Sequence, residues 1–255
     1  MIISTQQDLD IVREGGKRLA FIRDTLAKSV VVGATTTEIN DLAHELCTEN
    51  GDAPAFYNYQ PQGASRPFPA SVCISINDVV VHGIPNENPQ TIKAGDLVTV
   101  DVGLKHKGIV TDTAVTVAVE GASLRELELV KTAERALSKA IDIVRVGARV
   151  GEISKVIEAT VREKGFGIPE ELGGHGVGTT VHDESPSIPN VHFGNSGPIL
   201  SEGELIAIEP IITMGSSEIL FDTHDGYTIR TKDGSKSAHA EHTVLVTETG
   251  VEIIT

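Results

Sequence analysis

Four carboxylates stand where charge is out of place. Asp101 closes a Val-Thr-Val-Asp run and Glu209 an Ile-Ala-Ile-Glu run, while Asp112 lies within Thr-Asp-Thr-Ala-Val-Thr-Val and Glu241 within Ala-Glu-His-Thr-Val-Leu-Val. These apolar, β-branched surroundings predict burial, and a buried carboxylate is costly unless it is paired or bound to a cation. No Lys or Arg lies inside the four runs. Carboxylates gathered in one place repel and raise each other's pKa, and two divalent cations would cancel their charge. Imidazoles join the set. His175 sits in Gly-Gly-His-Gly-Val-Gly, whose glycines allow close backbone approach and expose the ring. His182 follows in Val-His-Asp-Glu-Ser-Pro, and His82 ends a Val-Val-Val-His run. The remaining histidines (His44, His106, His192, His224, His239 and His242) read as solvent-facing or hydrogen-bonded. Of these, His239 and His242 flank Glu241, either supporting it or exposed. An oxygen-rich set with one or two imidazoles favours Mn²⁺, Fe²⁺ or Co²⁺, and Zn²⁺ also suits it. The corresponding chemistry is hydrolysis, because a bound cation lowers the pKa of water from about 15.7 to about 7. The sequence has no P-loop, no H-E-x-x-H and no G-x-S-x-G elbow.

The elements that must position these residues can be read from hydrophobic periodicity. Helical spacing covers 6–30 and 37–50, and later 123–146 and 150–164. Strand-like runs occupy 71–76, 79–82, 96–103 and 109–119, then 205–213 and 242–247, with shorter candidates near 226–231 and 251–254. Residues 52–70, rich in Pro, Gly and aromatics, and residues 165–204 read as loops. The order helix, helix, strands thus occurs twice.

Short blocks repeat in the same order. VGATTTEI (32–39) matches VGARVGEI (146–153), and TENG (48–51) matches REKG (162–165). GDLVTVD (95–101) matches GELIAIE (203–209), and TDTAVTV (111–117) matches AEHTVLV (240–246). The four acids fall at equivalent points of this repeat. The sequence therefore predicts one pseudo-two-fold α+β domain spanning 1–255. Its halves, roughly 1–120 and 121–255, would contribute central antiparallel sheets with helices outside.

Composition narrows the function. Across 255 residues the formal charge is −15, which disfavours nucleic acid as a substrate and docking on anionic lipid. No run of about 18 apolar residues suggests a membrane span, and the first residues lack the apolar core of a signal peptide. Cys47 and Cys73 are too few and too far apart for a disulfide framework. The chain reads as a cytoplasmic protein, expected to be monomeric.

At these residues the sequence resembles the type I methionine aminopeptidases, metallopeptidases of the "pita-bread" fold. The likeness spans nearly the whole chain. It is carried by SVCISINDVVVHGIP (71–85), GDLVTVDVG (95–103), TDTA (111–114), GGHGVG (173–178), IEP (208–210) and DGYTIRTKDGSKSAHAEHTVLV (225–246). The resemblance implies Asp101, Asp112, His175, Glu209 and Glu241 as ligands of two divalent metals, with Asp112 and Glu241 bridging. It implies catalytic roles for His82 at the scissile amide nitrogen, His182 at the substrate carbonyl and Glu209 in proton transfer. It further implies a methionine pocket with Phe68, Cys73, Val181 and Tyr227, and a monovalent-cation site at Asn77, Val79 and Ser237. The substrates would be the N-termini of nascent polypeptides, with ribosome association as the expected setting. The sequence departs from the family at a longer 56–69 loop, at Val181 where many relatives carry Phe, and at Tyr227 where some carry Trp. Thirty-one residues separate Glu209 from Glu241, too few for the insert of type II enzymes. About 70 residues precede the first catalytic strand, with no room for a zinc-binding extension. Alternatives on the same fold are an Xaa-Pro aminopeptidase and a non-catalytic binding relative.

Overall fold

The fold is taken from a computed structural model, which describes residues 1–194 and 197–255. Helices α1 (Gln6–Ser29) and α2 (Thr36–Thr48) lead into β1 (Ala53–Pro54), β2 (Cys73–Ile76), β3 (Val79–Val81), β4 (Leu97–His106) and β5 (Ile109–Ala118). Helices α3 (Leu124–Ile141) and α4 (Val150–Arg162) follow. Next come β6 (Gly173–Gly176), β7 (Asp183–Pro189), β8 (Leu205–Ile208), β9 (Ile211–Thr213), β10 (Ile219–Phe221), β11 (Ile229–Thr231), β12 (Ser237–His239), β13 (Glu241–Thr247) and β14 (Gly250–Ile253).

The main sheet runs β1-β4-β5-β13-β8-β6-β7, with β2 added on β4 and β14 on β13. Its pairings are antiparallel throughout. Around the β5–β13 seam the order is symmetric in the repeat: β5 and β13 are equivalent, and so are β4 and β8. The match extends to the helix ends. Thr35 caps α2, accepting from Glu38 N while Glu38 accepts from Thr35 N, a complete capping box. In α4 the cap position is Arg149, whose side chain cannot accept, so only the Glu152 half of the box remains, with Arg149 N donating at 3.4 Å. Gly51 and Gly165 end the equivalent helices at φ +78 and +67, the left-handed region that glycine enters without cost.

Period-two alternation decides which side chains meet. Val98, Val100, Val102 and Leu104 of β4 pack with Leu19, Ile22 and Leu26 of α1. Ile206, Ile208, Val244 and Val246 pack with Leu129, Leu137, Ile153 and Ile157 of α3 and α4. Each half therefore buries its own helix pair on one face of the sheet. The intervening residues, Thr99, Asp101 and Gly103 on β4 among them, point to the other face.

The structure corrects several expected boundaries. The 165–204 stretch read as loop contains β6 and β7, short strands whose Gly and Pro content hides them from propensity. The run 205–213 is two strands. Its break falls at Glu209-Pro210, because Pro210 has no N–H to give a ladder. Helix α3 stops at Ile141, before the Gly147 turn. Strands β10 and β12, three residues each, carried no readable alternation. Among the described residues no helix is long and apolar enough to cross a membrane.

Candidate metal centre and substrate cavity

Register brings the carboxylates together. Cys73 lies opposite Asp101, Asp101 opposite Ala114, and Ala114 opposite Glu241, a row across β2, β4, β5 and β13. Directly opposed residues share a face, and the single methyl of Ala114 leaves room between two acids. Asp112, two residues before Ala114, is on the same face, opposite Gly103. Ile208 pairs with His242, so Glu209 lies one step further along, beside Glu241. His175 pairs with Ala207 and so lines up with Glu209 on that face. Its glycine neighbours are needed there. A Cβ on Gly174 would come within 2.3 Å of the Ala207 carbonyl oxygen, and one on Gly176 within 2.2 Å of that of Ser185. Only glycine lets β6 lie this close to β7 and β8.

The seam is fastened by side chains. Thr243 Oγ1 accepts from Asp112 N at 2.8 Å and donates to Asp112 O at 2.8 Å, while Thr113 Oγ1 donates to Glu241 O at 2.8 Å. Asn190 Nδ2 donates to Glu209 O at 2.9 Å. The backbone of each acid is thus held while its carboxylate projects into the site.

All four carboxylates are buried. Burial raises Asp101 to about 7, with Glu209 adding to the rise and His239 opposing it. Burial, then neighbouring acids, pushes Asp112 and Glu241 well above the usual carboxylate range. Glu209 differs. Burial pushes it up, but His239 and His175 outweigh that and hold it below its ordinary value. Without added positive charge the set cannot ionise together. Among the described residues, buried Asp101 Oδ1 and Glu241 Oε1 have no hydrogen-bond partner. Asp112, His175 and Glu241 present donor atoms within 4.8 Å of one another, and so do Glu209, His239 and Glu241. Unpartnered carboxylate oxygens converging with imidazole nitrogens fit divalent cations.

These groups open on a cavity of about 400 Å³. Phe68, Cys73, Val181 and Tyr227 line it, as do His82 and His182. Phe68 and Tyr227 meet edge to face at 5.1 Å, and the Tyr227 hydroxyl donates to Arg66 O. The 56–69 loop contributes Phe56 and Tyr59. His182 packs on His175 with ring centroids 4.4 Å apart. Burial, then the neighbouring His175 and His82, lowers His182 to about 3 and keeps it neutral. Burial also lowers His82, which stands at φ +59 at the end of β3. A non-glycine residue in that region is uncommon and marks a position held by its surroundings. The Asn77, Val79 and Ser237 groups meet elsewhere: Ser237 Oγ donates to Val79 O at 3.0 Å and Asn77 O at 3.1 Å.

Sequence reasoning missed part of this site. His239, read as either supporting Glu241 or exposed, is buried at 1 % exposure beside Glu209, and among the described residues neither ring nitrogen makes a hydrogen bond. Strand parity could have found it, since residues two apart share a face and Glu241 is two residues on. His242 points the other way, to Arg23 and Thr255. Phe221, in the missed strand β10, also lines the cavity. Of the other histidines, His106 pairs with Asp52 at 2.6 Å and His44 with Ser71 at 2.9 Å, as a hydrogen-bonded reading requires.

A curled antiparallel sheet holding carboxylates and imidazoles over a cavity defines a class, and comparison with known proteins agrees. Residues 10–248 match the model of metallopeptidase family M24, and the chain belongs to that family. It is 38% identical over 253 residues to the methionine aminopeptidase of Aquifex aeolicus, covering 98% of this chain and 97% of the relative. It is 35% identical over 255 residues to methionine aminopeptidase 1 of Bacillus subtilis, covering 100% and 99%. The crystal structure of the Thermotoga maritima methionine aminopeptidase superposes with a TM-score of 0.93 at 36% identity, covering 100% of this chain and 99% of that one. A Pyrococcus furiosus prolidase shares the fold alone, with a TM-score of 0.75 at 21% identity over 65% of its length.

Proposed function

We propose that this chain is a dinuclear metal-dependent aminopeptidase that removes methionine from the N-termini of polypeptides, nascent chains among them. The observation that carries the reading is the five-residue donor set, Asp101, Asp112, His175, Glu209 and Glu241, on one face of the sheet beside a largely apolar cavity. The full-length similarity to methionine aminopeptidases supports the choice of substrate. These five residues would hold two divalent cations. When bound, such cations polarise the scissile carbonyl and make water acidic enough to ionise at neutral pH.

The remaining work falls to the side chains. Glu209, at the edge of the acid cluster, would pass a proton from the attacking water towards the departing amine. His182, held neutral, can donate a hydrogen bond to the substrate carbonyl oxygen, a contact that strengthens as negative charge develops there. His82 would hold the scissile amide nitrogen. Phe68, Cys73, Val181 and Tyr227, joined by Phe56 and Phe221, offer an apolar wall that suits a flexible, polarisable thioether.

The metal-reconstituted protein should release Met from a Met-Gly-x peptide and leave x-Pro peptides intact. Absence of Met release with Mn²⁺, Fe²⁺, Co²⁺ and Zn²⁺ would overturn the reading. Preferential cleavage of x-Pro would replace it with the Xaa-Pro alternative.

A further inference from the structure

His239 has no task in the mechanism above, yet its position is demanding. Its ring is 1 % exposed and borders the cavity. Nε2 lies 3.1 Å from Glu209 Oε2 and 3.8 Å from Glu241 Oε2. Despite the short distance, neither ring nitrogen makes a hydrogen bond of acceptable geometry among the described residues. A buried imidazole with no partner is costly. One aimed between two carboxylate oxygens, without a hydrogen bond to either, is placed as a metal donor is placed. Two donors each about 2.1 Å from one cation lie about 3.0–3.4 Å apart, and the His239–Glu209 separation falls in that range.

The two imidazoles divide the carboxylates between them. His175 Nε2 approaches Oε1 of Glu209 and Oε1 of Glu241, at 3.5 and 4.0 Å. His239 approaches Oε2 of both. With Glu209 and Glu241 it presents donor atoms within 4.8 Å of one another, while His175 does so with Asp112 and Glu241.

We propose that His239 is a sixth protein ligand of the metal pair, supplying an imidazole to a cation held with Glu209 and Glu241, as His175 does to one held with Asp112 and Glu241. The inference rests on the dinuclear reading above. It gives each cation one nitrogen donor and replaces an all-carboxylate position with a mixed one. Nitrogen donors shift preference towards Co²⁺, Fe²⁺ and Zn²⁺ over Mn²⁺.

The test is metal K-edge X-ray absorption on full-length protein carrying two equivalents of Co²⁺, with calorimetric titration of Co²⁺ and Mn²⁺. The wild type should show two imidazoles per two cobalt ions, and H239Q one. In H239Q one Co²⁺ affinity should fall at least about tenfold, with a smaller loss for Mn²⁺, so that Co²⁺ selectivity over Mn²⁺ declines. H242Q, altered on the opposite face of β13, should match the wild type in both measurements. One imidazole per two cobalt ions in the wild type overturns the inference and leaves His239 as a neighbour of Glu209; that spectrum needs no variant to fold. An unchanged spectrum and unchanged affinities in H239Q overturn it equally. Failure of the wild type to bind stoichiometric metal would remove the dinuclear reading itself, a result distinct from either.

Discussion

The two halves of the molecule place equivalent acids by unequal means. In the first half, β4 and β5 are ten residues each and stay in register from Leu97–Ala118 to His106–Ile109, turning at Lys107-Gly108. Both turn residues have positive φ, as a two-residue type I′ hairpin requires. In the second half, β8 is four residues long, breaks at Pro210, and is separated from β13 by an excursion that includes β10 and β11. The regular half supplies the short carboxylates Asp101 and Asp112 from a stiff hairpin. The irregular half supplies the longer Glu209 and Glu241, together with His175, His182, His239, Phe221 and Tyr227. The repeat thus accounts for the acids but not for the imidazoles: His175, His182 and His239 come from the irregular half and His82 from the regular one, which also lines the cavity with Phe56, Tyr59, Phe68 and Cys73. The repeat positions the charge, and both halves line the cavity beside it.

If the centre depends on both halves, breaking either should break all of it. Asp112→Ala and Glu241→Ala, one from each half, should each abolish activity, by about 10³-fold or more, and lower bound metal measured by elemental analysis. Retention of metal and activity by one variant would confine the centre to the other half.

A second variant separates charge from substrate contact. His182→Ala leaves all four acids in place. It should reduce kcat by about 10²–10³-fold with metal content unchanged. Loss of metal instead would place His182 among the ligands.

The seam between the halves offers a pH test. Burial, then nearby Arg23, lowers His242 to about 4 from 6.5. Below pH 6.5 the unfolded chain takes up a proton that the folded chain refuses until about pH 4. Stability is therefore lost as pH falls through that window. His242→Gln cannot titrate, so its stability relative to the wild type should rise steadily between pH 6.5 and 4 in urea unfolding. A constant difference across that range would show that His242 protonates freely in the fold.

The smallest effect concerns the helix caps. Arg149→Thr restores to α4 the full capping box that α2 has, and should stabilise by about 0.5–1 kcal/mol, read as a rise in Tm. No rise would mean that the Arg149 contact to Gly197 O, at 3.1 Å, offsets the cap.

Much of this was legible without coordinates. Four acids in β-branched runs at repeat-related points announced a buried charged site, because no other arrangement makes such residues tolerable. The helices were legible because their apolar spacing and end signals are local. Strands β6 and β7 were not, because Gly-Gly-His-Gly and Ser-Pro-Ser-Ile-Pro have no local reason to be extended. β6 is a strand because β8 lies alongside with backbone groups to satisfy, and β7 because it pairs with β6 in turn.

The division between sequence and tertiary structure follows from range. By itself the sequence pointed to the four acids and to the repeated order of elements, and it determined the family, since these depend on residue type and period. Only the folded chain decided that Glu209 is ionised while Asp112 and Glu241 resist ionisation, and that His239 turns inward while His242 turns outward. It also decided that Phe56, Tyr59 and Phe221 join the pocket. Each of these depends on burial and on neighbours brought from far along the chain, and such electrostatics and contacts exist only once the strands are in register.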